Sequence, residues 1–440
     1  MKAWGVLGTV AVWVVAASVG QSQTVSLAET AKAGDCLRVQ LDMKLAGDMR
    51  IQRDGKVVQL GEEATATHQF AERVLAVNKA GAVDKTARVY DVAKAVITVN
   101  KESSERTLRA DRKLLVVQRV KDQTLVFSPA AALSRPELDL TGGHFDTLAV
   151  TGLLPENAVA GGDTWKISSA VAQAVCGFEG LTEHTLTGKL TAVKDDVATF
   201  TITGPANGID VGAQVKLTID ATGTFDLKMK RLTALEWNQK DEREAGPVSP
   251  ATNLQTKTVV KRTAIEQPES LSDVALVSVS GEEKPPAVQL QLEVLEAKNR
   301  FTLFHAREWN LVSQTEDHTV LRLMDRGDFL AQVTITPWKA APAGKHLAID
   351  DFKAAMNMTP GWEVEKELQE AEVPTDGKWA YRYSVLGQLD GVAVMQNFYL
   401  LAAPGGEQVV LVFTLSPKQA EKLGARDLSL VAGLEISPKK

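Results

Sequence analysis

The sequence predicts a multidomain α+β chain. Its first part is mainly antiparallel β, folded as a twisted sheet or half-barrel, and its second sets antiparallel strands between helices. Three observations predict this. Apolar and polar residues alternate from Cys36 onward, with Leu37, Val39, Leu41 and Met43 set against Arg38, Gln40, Asp42 and Lys44. Connections between successive strand candidates are too short to hold crossover helices, so pairing is antiparallel. Beyond a polar, proline-bearing stretch between Asn238 and Pro286, strand and helix periods mix.

Met1 and Lys2 lead an uncharged apolar run from Ala3 to Val19, followed by polar Gln21, Ser22 and Gln23. A short basic head, an apolar stretch and small residues before the polar turn describe a signal peptide, 1–20, cleaved near Gly20/Gln21. The expected location is the periplasm or the exterior. No cysteine lies near that cut, so no lipid attachment is expected.

In the first part, 21–270, Asp54-Gly55 between Ile51 and Val57-Val58 marks a two-residue hairpin. Further strands are expected near 64–77, 86–99, 106–118 and 123–127. Ser134-Arg135-Pro136-Glu137 reads as a capping box opening a short helix, and the part is either one large twisted sheet or two β subdomains split near 130–160. Strands resume after Gly162-Asp163-Thr164-Trp165 and run through Val215, Leu217 and Ile219 to Phe225 and Leu227. Residues 271–286, ending in Pro285-Pro286, form the expected linker. In 287–440, Val288 to Val294 alternate as a strand and 319–335 as a hairpin about Asp325-Arg326-Gly327-Asp328. Ile349, Phe352 and Met356 fall at helical spacing behind Asp350 and Asp351. Strands follow near 379–386, 391–402 and 407–415, then two short helices opening at Ser416-Pro417 and Asp427.

The 440 residues carry a net charge of −6 with both signs interspersed. No basic stripe suggests nucleic acid, and no second apolar run of about 18 residues suggests a membrane helix. Two cysteines, Cys36 and Cys176, admit one disulfide closing a loop of about 140 residues, worth ~4–5 kcal/mol on chain-entropy grounds, or two separate thiols.

The run Arg300 to Trp309, the strand Gly391 to Leu401, the hairpin Pro404-Gly405-Gly406 and Val409 to Phe413 resemble PsbP-like domains and the related DcrB-type periplasmic proteins. The resemblance covers 287–437. It implies an α/β/α sandwich that docks to other proteins and carries no catalytic constellation. The phrase Leu153-Leu154-Pro155 to Gly162-Asp163-Thr164-Trp165 is similar to secreted bacterial β-rich proteins of unknown function.

Chemistry-bearing motifs are few. No two of the six histidines stand at i, i+4, no Gly-x-Ser-x-Gly elbow occurs, and the glycines form neither a phosphate loop nor a dinucleotide fingerprint. His305, Asp317, His318 and Asp325 could meet around the 319–335 hairpin, but solvated turn residues explain them as well. No catalytic residue, metal or cofactor is expected. Tryptophan is the enriched signal. Trp338 after Pro337 and Trp362 after Pro360-Gly361 are candidate partner anchors, with plugs over the sheet as the alternative. The expected function is a non-enzymatic secreted or periplasmic protein that binds another macromolecule. The rivals are an envelope hydrolase or sugar-binding protein, and a carrier of an apolar ligand in the β-rich part.

Overall fold

A computed structural model describes residues 24–438 except 54, 80, 122, 143, 144, 211 and 326. The expected signal peptide, Asp54, His144 and Arg326 lie outside the described residues.

From Cys36 the chain runs as a meander of β1 (Cys36–Arg53), β2 (Lys56–Val77), β3 (Val83–Val99), β4 (Glu102–Thr107), β5 (Leu114–Val120) and β6 (Gln123–Phe127). A mixed segment follows: β7 (Leu133–Ser134), α1 (Arg135–Gly142), β8 (Thr164–Lys166), α2 (Ser169–Cys176) and β9 (Gly180–His184). The capping box closes as its residue types dictate, since Glu137 accepts from the Ser134 backbone N–H at 2.9 Å and from its hydroxyl at 3.1 Å. Helix α2 is capped by the Ser168 hydroxyl and ends on left-handed Gly177. Long strands resume as β10 (Thr187–Lys194), β11 (Val197–Asp210), β12 (Ala213–Asp226), β13 (Arg231–Arg243) and β14 (Ala251–Ala264).

These strands make one antiparallel sheet in the order β6-β5-β3-β2-β1-β14-β13-β12-β11-β10-β8, with β4 added to β3 and β9 to β11. The β1–β14 pairing joins the earlier and later strands into that single sheet. Its inner face bears Leu41, Phe70, Tyr90, Phe200, Trp237 and Val260, and the 128–178 segment and Leu27 fill the space they enclose. Two cavities against this face, beside His68 and beside Glu29, measure about 20 Å³ each, room for a water and little more.

Residues 265–286 cross the outer face of β2, β3 and β5 as a strap. Leu271 and Leu276 are buried against Ala71 and Ala87, and Arg73, Lys85 and Gln118 donate to the carbonyls of Leu271, Ser280 and Glu283.

Next come α3 (Ala287–Leu290), β15 (Leu292–Leu295), β16 (Phe301–His305), β17 (Trp309–Gln314), β18 (Thr319–Asp325), β19 (Asp328–Trp338), α4 (Ile349–Asn357), β20 (Trp362–Glu372), β21 (Trp379–Leu389), β22 (Val392–Ala402), β23 (Gln408–Leu415), α5 (Ala420–Leu423), α6 (Arg426–Ala432) and β24 (Leu434–Ile436). Seven strands form an antiparallel sheet, β17-β18-β19-β23-β22-β21-β20, and a second sheet runs β24-β16-β15-β7. The expected α+β chain with an α/β/α sandwich is therefore corrected to a β-rich fold of three mostly antiparallel sheets, 56% strand and 13% helix. One face of the seven-stranded sheet is covered by nine-residue α4 with Trp362 and Trp338. The other is covered by Phe301, Leu303 and Leu434 of the four-stranded sheet together with α5 and α6. Helices this short cannot form a layer of their own, and strand residues complete both covers.

The second sheet pairs β7 in parallel with β15. Around it, Arg109 bridges Glu137 and Glu293, Arg135 donates to the Arg307 carbonyl and to Asn310, and Arg307 donates to the Val126 carbonyl. No helix of the described residues is long and apolar enough to cross a membrane.

Candidate functional site

Alternation places every second residue of a strand on the face away from the core. Near the 47–61 end of the large sheet, the outward residues of six adjacent strands converge on a trough of about 860 Å³. Strand register arranges most of its lining in two rows, with Ala64, Leu45, Thr256 and Gln239 lying between them. One runs Val96, Thr65, Lys44, Lys257, Asn238, Asp220 across β3, β2, β1, β14, β13 and β12. The next runs Thr98, Glu63, Ala46, Gln255, Lys240, Thr218 over the same strands. A second cavity of about 420 Å³, sharing Ala46 and Gln255, extends the trough past Gly47, Asp48, Gln59, Gly61 and Asn253.

The charges are sorted by strand. Lys44, Lys257 and Lys240 stand on the three central strands, and Glu63 and Asp220 on the flanking ones. Lys257 Nζ meets Glu236 at 2.6 Å, and that bond holds the Glu236 carboxyl below its usual range. Lys44 and Lys240 have no ion pair among the described residues. On the face behind the trough, Glu62 and Asp241 are inward-facing carboxyls whose pKa burial raises. Uncharged hydrogen-bonding side chains make up most of the remaining lining, with no histidine, cysteine or aromatic ring among them. Such a surface can grip a polar ligand, and it holds no nucleophile paired with a histidine base.

The residues singled out from the sequence lie elsewhere. Trp338 ends β19 half-buried against the Phe352 core. Trp362 begins β20 and is only 6% exposed, edge-on to Phe398 with ring centroids 6.3 Å apart. Its ring lies over Gly387, where any Cβ would collide with it. The loop setting expected for Trp362 gives way to a strand, because Pro360-Gly361 turns the chain into an edge strand whose first side chain points into the core. Cys36 and Cys176 are both free thiols. The buried Cys36 Sγ donates to the Gly34 carbonyl at 3.4 Å, and burial pushes the Cys176 thiol up to about 12.

The histidine and aspartate group is not assembled. His305 is buried with Nδ1 at 2.8 Å from the Ala306 carbonyl oxygen, His318 closes a turn on Thr315, and Asp325 pairs with Arg426. Among the described residues no cluster of three or more His, Cys, Asp or Glu side chains is placed to hold a metal ion.

Sequence reasoning missed the trough. Lys44 is visible there as a wet-face residue, but Lys240 and Lys257 join it only through the β1–β14 pairing, which no local pattern announces.

No family model and no curated protein matches the chain. Among solved structures, the cyanobacterial PsbP of Synechocystis is similar at 11% identity, with 36% of this chain and 98% of that one covered and a TM-score of 0.26. The Ran-binding protein Mog1p of Saccharomyces cerevisiae gives 13% identity, 34% and 96% coverage and a TM-score of 0.25. Lipovitellin gives 7% identity, 54% and 26% coverage and a TM-score of 0.29. The PsbP-like resemblance is thus a weak one of fold alone, over about a third of the chain, and it assigns no function.

Proposed function

We propose that the chain is an exported, non-enzymatic binding protein whose binding surface is the trough on the outer face of the large sheet. The observation that carries this reading is the convergence of six strands' outward residues on one cavity of about 860 Å³ lined by polar side chains. The apolar run at 3–19 supports export. The apolar-carrier reading has less to rest on, since the two cavities beside His68 and Glu29 hold about one water each. The hydrolase reading finds no nucleophile–histidine pair in the trough lining.

The test fills the trough. Ala46 is exposed on its floor, so Ala46→Trp adds bulk there while the inner face is untouched. Wild type and variant are offered the same fractionated envelope and exterior material, and bound components are identified by mass. A defined component held by wild type and released by Ala46→Trp supports the reading. Identical retention by the two, with both folded, defeats it.

A further inference from the structure

Lys44 and Lys257 stand directly opposite one another on β1 and β14. Like charges so placed repel and destabilise the pair of strands. Glu236 offsets one of them; near the other, Asp42 is held by Gln40 at 2.7 Å and Thr67 at 3.0 Å, and Glu63 stands diagonal on β2. Lys240, diagonal to Lys257 on the next strand, adds a third ammonium. With strands roughly 5 Å apart, the three form a cationic strip across the middle of the trough.

The walls narrow the ligand further. Thr65, Thr98, Thr218, Asn238 and Gln255 offer hydroxyl and amide groups, while Glu63 and Asp220 accept hydrogen bonds at the flanks. Each of the four inner strands, β2, β1, β14 and β13, is paired on both sides here, so no open edge exists for a peptide strand to join. Aromatic platforms for stacking neutral sugars are absent from the lining.

We infer that the trough takes an acidic polysaccharide, its carboxylates on Lys44 and Lys240 and its hydroxyls on the walls. This rests on the trough being the binding surface. Ionic attraction centred on the strip selects acidic over neutral chains, and hydroxyl recognition on the walls selects a glycan over an acidic peptide.

Calorimetric titration of the full chain tests it with oligogalacturonate as probe. Maltooligosaccharide of equal length, polyglutamate and inorganic phosphate serve as comparators. Oligogalacturonate should bind, lose affinity as salt rises, and weaken about tenfold or more in Lys44→Gln/Lys240→Gln, a loss of roughly 1.4 kcal/mol. The Lys44→Arg/Lys240→Arg variant should restore it. Absent oligogalacturonate binding, no effect of the glutamine pair, or equal or tighter binding of any comparator overturns the inference. Ala46→Trp separates the two claims. If maltooligosaccharide binds wild type and not that variant, the trough reading stands and the acidic ligand falls. If oligogalacturonate binds both alike, the trough reading itself falls.

Discussion

Gly47 of β1 lies so close to Asn253 of β14 that a Cβ at residue 47 would collide with the Asn253 carbonyl oxygen. The contact is backbone to backbone, so a side chain there cannot be accommodated by a rotamer change. It sits where the trough passes into its extension, and both residues line that second cavity. Gly47→Ala should therefore cost about 1–3 kcal/mol and weaken trough binding together with stability. Denaturant titration checks the first. An unchanged midpoint would mean that the strands can part here without loss.

Trp362 and Phe398 should behave alike. Both are buried in one cluster, so Trp362→Ala and Phe398→Ala should each cost about 3–5 kcal/mol. Half-buried Trp338 should cost clearly less when replaced by Ala. Thermal melts of the three variants rank them. A Trp362→Ala protein as stable as wild type would return this residue to the role of a loop anchor.

Glu137 accepts from the Ser134 and Arg109 backbone N–H groups and from the Arg109 guanidinium. Burial raises its pKa, and the Arg109 and backbone hydrogen bonds more than offset that, leaving it lowered. Glu137→Ala should cost about 2–3 kcal/mol, less than the loss of a fully buried pair because Arg109 is 40% exposed. Chemical denaturation measures it, and a cost under about 0.5 kcal/mol would show the cap to be dispensable.

His305 gives the fold a pH dependence with a definite sign. Burial, then the charge of Arg135, pulls its pKa down to about 4, so the fold holds it neutral where the unfolded chain takes up a proton. Its contribution is intact above about pH 6.5 and is lost as pH falls towards 4. Between pH 6.5 and 5 wild type should lose about 2 kcal/mol more than His305→Gln does. Parallel stability profiles for the two would remove His305 as the cause.

Cleavage after Lys284 should leave the two halves together. Lys284 is exposed, yet β7–β15 pairing and the Arg109, Arg135 and Arg307 contacts span the cut. Nicked protein should elute in gel filtration as intact chain does, and elution as two smaller species would show these contacts to be insufficient.

Strands with a continuous period-two pattern were legible in the sequence, and so was the α1 capping box, because those signals are local. The helix over 349–357 followed from Ile349, Phe352 and Met356 for the same reason. Helix α2 was missed although Ser168 and Gly177 bracket it, since its apolar run gives no clear face. Strand β20 was missed because all of its residues after Trp362 are exposed, which erases alternation. Val288 and Leu290 alternate like a strand yet lie in a four-residue helix, too short for either period to decide. The layer architecture depended on what covers the seven-stranded sheet, and the trough on which strands meet at β1–β14. Both are long-range facts.

The four-stranded sheet also imposes an order of events on biosynthesis. Its strands come from residues 133–134, 292–295, 301–305 and 434–436, so it cannot close until nearly all of the chain has emerged. Until then Leu133 and Leu292, both fully covered in the finished fold, lack their complete surroundings. Contacts of such sequence separation form late and slowly, and exposed strands on a waiting chain invite wrong partners. The nascent protein therefore has a long interval in which its first sheet is made but its seam with the second is open, the stage at which a holding chaperone would act on it.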